Sequence, residues 1–269
     1  MAIYLTASMF TQYQIDTFTN DVFGGNPAAV VPLTDWIPDT YLQKIAQENN
    51  LSETAFFVPE GDGYRLRWFT PTTEVDLCGH ATLATAYVLF FILDFPDEVL
   101  TFHTRSGELY VQKKGNLLEM NFPLVSTEPT FEYIKAVEDG LGIKISSLRK
   151  AGWDLLAIVD SEAEVRSIQP LFEKIAKLPA RGLVCTAPGD QVDFVSRFFG
   201  PQVGVPEDPV TGSAHTYLAP YWAHELGKTK LIAHQVSHRT GELELEIVGD
   251  RVLIRGNCKI FMEGKIYLA

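Results

Sequence analysis

The feature that most limits what this chain can fold into is that it repeats itself. Lys44-Ile45-Ala46 returns as Lys174-Ile175-Ala176, 130 positions further on. Arg67-Trp68-Phe69-Thr70-Pro71 returns as Arg197-Phe198-Phe199-Gly200-Pro201 at the same spacing, and Val75, Ala84 and Tyr87 as Val205, Ala214 and Tyr217. Later the spacing is 134: Arg105-Ser106-Gly107-Glu108-Leu109 returns as Arg239-Thr240-Gly241-Glu242-Leu243. The four extra residues, about one helical turn, are expected in or just after a helix beginning near Ser213. A repeat of this kind means one unit used twice. The expected domains are residues 1–125 and 126–269, divided in the polar, proline-bounded stretch Pro123 to Pro129.

Hydrophobic periodicity assigns the same order of elements to both halves. In the first, strands are expected at Gln12–Phe18, Ala28–Val31, Glu53–Val58, Tyr64–Thr70, Thr101–Thr104, Gly107–Lys113 and Leu117–Phe122. Helices are expected at Pro38–Asn49, with Leu42, Ile45 and Ala46 on one face, and at Gly79–Leu93. In the second, strands are expected at Leu155–Val159, Leu183–Thr186, Val192–Phe199, Leu231–Val236, Gly241–Val248 and Arg251–Arg255. Its helices are expected at Leu171–Leu178 and Ser213–Leu226. A helix apolar nearly all round has to be enclosed. The expected fold is therefore α+β: two similar halves from internal duplication, each a curved, mostly antiparallel sheet around a central apolar helix. The cleft between the halves is the natural place for a ligand.

Composition narrows the partners. Hydrophobic residues make up 46% of the chain and charged residues 21%, the balance of a globular protein rather than a disordered one. A net charge of -12 supplies no basic patch for nucleic acid or an anionic membrane. Three scattered cysteines, Cys78, Cys185 and Cys258, form no CxxC pair, so neither a disulfide framework nor a structural zinc site is expected. The first ten residues lack the basic and apolar regions of a secretory leader. The apolar run Ala81–Leu93 falls short of the roughly 18 residues a membrane span needs. A cytoplasmic location is expected.

Two segments introduce the long helices: Asp76-Leu77-Cys78-Gly79-His80-Ala81-Thr82 and Glu207-Asp208-Pro209-Val210-Thr211-Gly212-Ser213-Ala214. Helix starts present unpaired backbone N–H groups and the positive end of the helix dipole. Gly79, Ala81, Thr82, Thr211 and Gly212 are thus candidates to bind a carboxylate; ordinary capping by Thr82, Thr211 or Ser213 is the alternative. Aligned without gaps, the repeat sets Glu53 against Leu183, Cys78 against Asp208 and His80 against Val210. Glu53, His80 and Asp208 are the candidate catalytic residues, since function belongs where the halves differ. Partial burial would raise the Glu53 pKa and suit it to proton transfer. No metal site is expected. His234 and His238 have a helical ligand spacing but fall in a strand and turn. No GxGxxG, GxxxxGK[ST] or GxSxG motif is present.

These motifs together resemble the PhzF-like proteins of phenazine biosynthesis, which share the diaminopimelate-epimerase fold. The resemblance runs through Asp16-Thr17-Phe18-Thr19, Phe23-Gly24-Gly25-Asn26-Pro27-Ala28-Ala29-Val30, Asn50-Leu51-Ser52-Glu53-Thr54-Ala55-Phe56, Arg67 to Pro71, Val75 to Thr82 and Glu207 to His215. It implies an acid/base role for Glu53. It implies that His80, Asp208 and Ser213 surround the substrate and assist proton movement. Gly79 and Gly212 would bring backbone amides to its carboxylate. It also implies a homodimer without cofactor. The epimerase branch uses one cysteine from each half; here Cys78 fills the first place and no cysteine follows in the second motif.

The expected function is a cofactor-independent isomerase that moves a proton within a small carboxylate-bearing metabolite. Two alternatives remain at this point: an amino-acid epimerase using Cys78, and a ligand-binding or interaction protein that keeps the fold without turnover.

Overall fold

The computed structural model describes residues 8–268. The reading of the first ten residues as carrying no leader therefore falls mostly outside the described part. In chain order the first half holds β1 (Ser8–Thr17), β2 (Asn26–Pro32), α1 (Asp39–Asn49), β3 (Glu53–Glu60), β4 (Gly63–Phe69), β5 (Glu74–Val75), α2 (Gly79–Phe91), β6 (Val99–Thr104), β7 (Gly107–Lys114) and β8 (Leu117–Pro123). The second holds β9 (Thr127–Pro129), α3 (Ile134–Leu141), β10 (Ser147–Ala151), β11 (Asp154–Ile158), α4 (Glu162–Ser167), α5 (Phe172–Ile175), β12 (Leu183–Pro188), β13 (Phe194–Gly200), β14 (Val205–Asp208), α6 (His215–Leu226), β15 (Lys230–Gln235), β16 (Gly241–Val248) and β17 (Arg251–Gly256). The last strand, β18, is Cys258–Leu268.

Two compact units emerge. One takes the chain up to Phe23, Pro27–Met120 and everything from Asn257; the other takes Gly24–Asn26 and Asn121–Gly256. A single division at 125/126 puts the final strand with the second half. In the structure β18 pairs antiparallel with β1, from Ser8 opposite Leu268 to Thr17 opposite Cys258.

Each unit is an α+β assembly whose ladders are mostly antiparallel, with two parallel pairings placed alike. In the first unit β2 runs parallel to β3 and β4 to β6. In the second β11 runs parallel to β12 and β13 to β15. The central helix of the first unit, α2, is apolar on every side and packs against β1, β3, β7 and β18. From His80 to Phe90 all of its residues except Tyr87 are buried, which is why no polar face appears in its sequence. Its counterpart α6 packs on β15, β16 and β17 and starts one turn late, after a short 3₁₀ turn at Gly212–Ala214. Pro220 cannot donate to the Thr216 carbonyl one turn back; that carbonyl instead accepts the N–H of Val125 at 3.1 Å. The stretch expected to be a linker is in this way bound to the second unit, and Thr127–Pro129 pairs with β10.

Several smaller expectations are corrected. The helix expected at Leu171–Leu178 is α only at Phe172–Ile175 and continues in tighter turns up to Leu178, before Pro179. Helices α3 and α4 and strands β5, β9, β10, β14 and β18 were not expected. No helix among the described residues is long and apolar enough to cross a membrane.

Strand register also redraws the repeat. Trp68 stands opposite Val75, and Phe198 opposite Asp208. The fork of Arg67 on Glu74 is matched by that of Arg197 on Glu207. Three extra residues therefore lie in the loop between β13 and β14, and Asp208 takes the place of Val75. Cys78, Gly79 and His80 then correspond to Thr211, Gly212 and Ser213. A further three extra residues fall in the turn between β15 and β16: Thr104 pairs with Gly107, whereas Gln235 pairs with Gly241. The link from helix to strand is two shorter. The expected four-residue insertion near Ser213 is thus a sum of separate loop changes. The pairing of Thr54 with Phe69 and of Leu183 with Phe199 moves the counterpart of Glu53 from Leu183 to Gly182.

Candidate active site

In the first unit, Glu53 opens β3 and His80 lies in the first turn of α2. Their positions are fixed from both sides. The ladder from Thr54 to Phe69 anchors the strand, and the apolar run after His80 sinks the helix into the core. His80 Nε2 lies 3.2 Å from Glu53 Oε2, within hydrogen-bonding reach. On the other side of the ring, Nδ1 lies 3.5 Å from Cys78 Sγ. The Glu53 side chain retains 14% of its exposure and that of His80 6%. Burial pushes the His80 pKa down to about 3. The imidazole is therefore neutral at pH 7, with one ring nitrogen donating and the other accepting. The thiol, the imidazole and the carboxylate thus stand in succession, with gaps of 3.5 Å and 3.2 Å. Thr82, one turn into α2, is spent on structure, its hydroxyl donating to the Cys78 carbonyl at 2.6 Å.

Among the described residues, Glu53, Cys78 and His80 also form a group that could hold a metal ion, with ligand atoms within 4.8 Å of one another. The contacts to Glu53 and Cys78 sit on opposite nitrogens of one ring.

In the second unit, Asp208 ends β14 and is gripped from three directions. Asn26 Nδ2 donates to its Oδ1 at 2.7 Å, and the Thr211 hydroxyl to its Oδ2 at 2.6 Å. Gln235 Nε2 donates to its backbone carbonyl at 2.7 Å. Burial pushes the Asp208 carboxyl up to about 6, opposed by the bonds from Thr211 and Asn26 and by the positive charge of Arg181. Gln235 reaches on to Thr211, accepting its N–H at 2.8 Å, and Ser237 donates to the Pro209 carbonyl at 3.0 Å. Gln235 at the end of β15 and Ser237 in the longer turn after it thus clamp the Asp208–Thr211 loop. At Gly212, itself buried, a Cβ would meet nothing within 4 Å, so there is empty space beside its backbone. Ser213 Oγ accepts from Arg181 Nη2 at 3.1 Å.

The structure thus brings Glu53 and His80 together in one unit, and Asp208, Thr211 and Gly212 in the other, with Ser213 held beside them. Five contributors were not anticipated: Asn26, Asp154, Arg181, Tyr217 and Gln235. For Gln235 a signal existed. Leu231, Ala233 and Gln235 share the buried face of β15, and an inward polar side chain needs partners. For Arg181 and Asp154 there was none, because they meet across 27 residues of sequence.

The family model described as phenazine biosynthesis-like protein, PhzC-PhzF, matches residues 15–264. An uncharacterized isomerase of Pseudomonas aeruginosa is 52% identical over 262 residues, covering 96% of this chain and 99% of the relative. The crystal structure of a PhzF-family phenazine biosynthesis protein from Enterococcus faecalis superposes with a TM-score of 0.92. It is 46% identical, with 97% of this chain and 100% of the other covered. A predicted epimerase of Pseudomonas aeruginosa shares the fold at a TM-score of 0.74 and 21% identity, over 96% of this chain and 99% of its own.

Proposed function

Because this chain belongs to the PhzC-PhzF, phenazine biosynthesis-like family, we propose that it is an isomerase that moves a proton within a small carboxylate-bearing metabolite, without a cofactor, using Glu53 as the acid/base. The observation that carries the reading is the 3.2 Å approach of Glu53 to a buried, neutral His80 at the start of the apolar helix α2. An ionised Glu53, beside the neutral His80 ring, takes a proton from a carbon next to an activating group and returns it elsewhere on the same molecule. His80 stays neutral beside the carboxylate throughout, since a buried cation would be costly at that depth. Asp208, Thr211, Gly212 and Ser213 are assigned to the substrate's carboxylate and to charge that develops in the transition state. Asp208 with a pKa near 6 is poised to give or take a proton near neutral pH. Joining both groups of residues to one substrate rests on the repeat in the sequence.

The test is solvent exchange. Small carboxylates with an acidic C–H are incubated with the protein in D₂O and deuterium incorporation is followed by NMR. Glu53→Gln is expected to slow incorporation by ~10²–10⁴-fold. Wild-type rates in that variant would end the proposal. The epimerase alternative makes Cys78 essential, whereas here Cys78→Ala keeps most of the activity. The counterpart of Cys78 is Thr211, so the second thiol of a two-base epimerase is missing. A ligand-binding protein without turnover would give no exchange in the wild type either.

A further inference from the structure

Next to Ser213 lies a polar chain that none of the roles above uses. Tyr217, on α6, donates its hydroxyl to Asp154 Oδ2 at 2.8 Å. Asp154, at the start of β11 and 3% exposed, accepts from Arg181 Nε at 2.9 Å and from Nη2 at 2.5 Å. The same Nη2 donates to Ser213 Oγ. The Phe198 ring lies 5.5 Å from the guanidinium carbon. Arg181 is thus fixed by a two-pronged carboxylate grip and an aromatic face, a geometry lysine could not reproduce. A surface ion pair has no need of a buried tyrosine behind its carboxylate.

We infer that Arg181 is a positioning residue: pinned by Asp154 and Tyr217, it aims the Ser213 hydroxyl and holds a fixed positive charge in the unit that carries Asp208. A serine oxygen that accepts from a guanidinium has its own O–H left to donate. Ser213 thereby becomes a directed donor next to the empty space at Gly212, suited to a carboxylate. The charged groups acting on Asp208 are Arg181, which favours its ionised form, and Glu207, which opposes it; Thr211 and Asn26 hydrogen-bond to it. The inference rests on the roles proposed above for Ser213 and Asp208.

The test is a ¹³C NMR titration of the Asp208 carboxyl in the full chain, with no ligand added. Arg181→Met is expected to move the midpoint upward by about half a unit or more. Arg181→Lys, which keeps the charge, is expected to move it less. General loosening would shift Arg181→Lys as far as Arg181→Met, so the difference between the two separates an electrostatic role from it. An unmoved midpoint in Arg181→Met, or equal shifts in Arg181→Met and Arg181→Lys, overturns the inference. Should Arg181→Met not fold, Arg181→Gln takes its place under the same two criteria. The titration needs no turnover, so its failure leaves the isomerase proposal standing, and a failed Glu53→Gln experiment leaves this one standing.

Discussion

Two histidines are buried as neutral rings, for related reasons. His80 sits between a carboxylate and a thiol. His215, fully buried, has Nδ1 2.8 Å from the Thr211 carbonyl, an acceptor that requires the proton on Nδ1. Burial holds their pKa values at about 3 and about 4, against 6.5 in the unfolded chain. As the pH falls below 6.5 the unfolded state gains protons that the native state refuses. Each ring then costs up to about 1.4 kcal/mol per pH unit until its native pKa is reached. Asp208 acts oppositely. Its pKa rises from 3.8 to about 6 on folding, so the native state takes up its proton first and gains stability as the pH drops from 6 toward 3.8. Two groups against one gives a net loss. The urea midpoint is expected to be lower at pH 5 than at pH 7, and neither histidine should titrate above pH 5 by NMR. A stability that is flat or rises toward pH 5 contradicts this balance.

At the level of elements, the halves differ at the candidate site residues. The start of β3 carries Glu53; the corresponding place before β12 is Gly182. There an added Cβ would lie 2.3 Å from the tip of the Phe198 ring, and Phe198 is itself a face on which Arg181 rests. One half thus fills this position with a carboxylate, and the other empties it so that an aromatic ring can support a guanidinium. Gly182→Ala is expected to force the ring aside and cost about 1–3 kcal/mol, measured by denaturant unfolding, with the Asp208 titration disturbed as well. An unchanged unfolding midpoint would mean that the ring moves freely and supports nothing.

For the molecule as a whole, the path of the chain matters more than its two-fold repetition. The first unit is completed only when the last strand returns: β18 lies along β1 over its full length, and α2 packs against both. A chain ending at Gly256 would leave β1 with an unpaired edge and α2 with part of its covering lost. Such a truncation is expected to remove most of the stability of the first unit, a loss on the scale of the ~5–15 kcal/mol that holds a domain together. Its mark would be hydrogen exchange in α2 and β1 at unprotected rates. Full protection there would show that β18 is dispensable.

The sequence by itself determined the duplication, the α+β pattern, the enclosed helix α2 and most strands. It also singled out Glu53 and His80, since apolar periodicity and a strong repeat are local signals that survive without knowledge of contacts. It could not settle which residue answers which between the halves. Strands are joined by loops that accept two or three extra residues at little cost, so a gap-free comparison placed Asp208 opposite Cys78 and Glu53 opposite Leu183. Only hydrogen-bond register reveals Thr211 and Gly182 in those places. The tertiary structure alone decided that the last strand belongs to the first unit, because the apolar residues of β18, Ile260, Phe261 and Met262 in succession, are partly exposed and follow no alternating pattern. It alone assembled Arg181, Asp154, Tyr217 and Ser213, since a buried charge chooses its partner by where the fold brings a carboxylate, and sequence distance carries no trace of that choice.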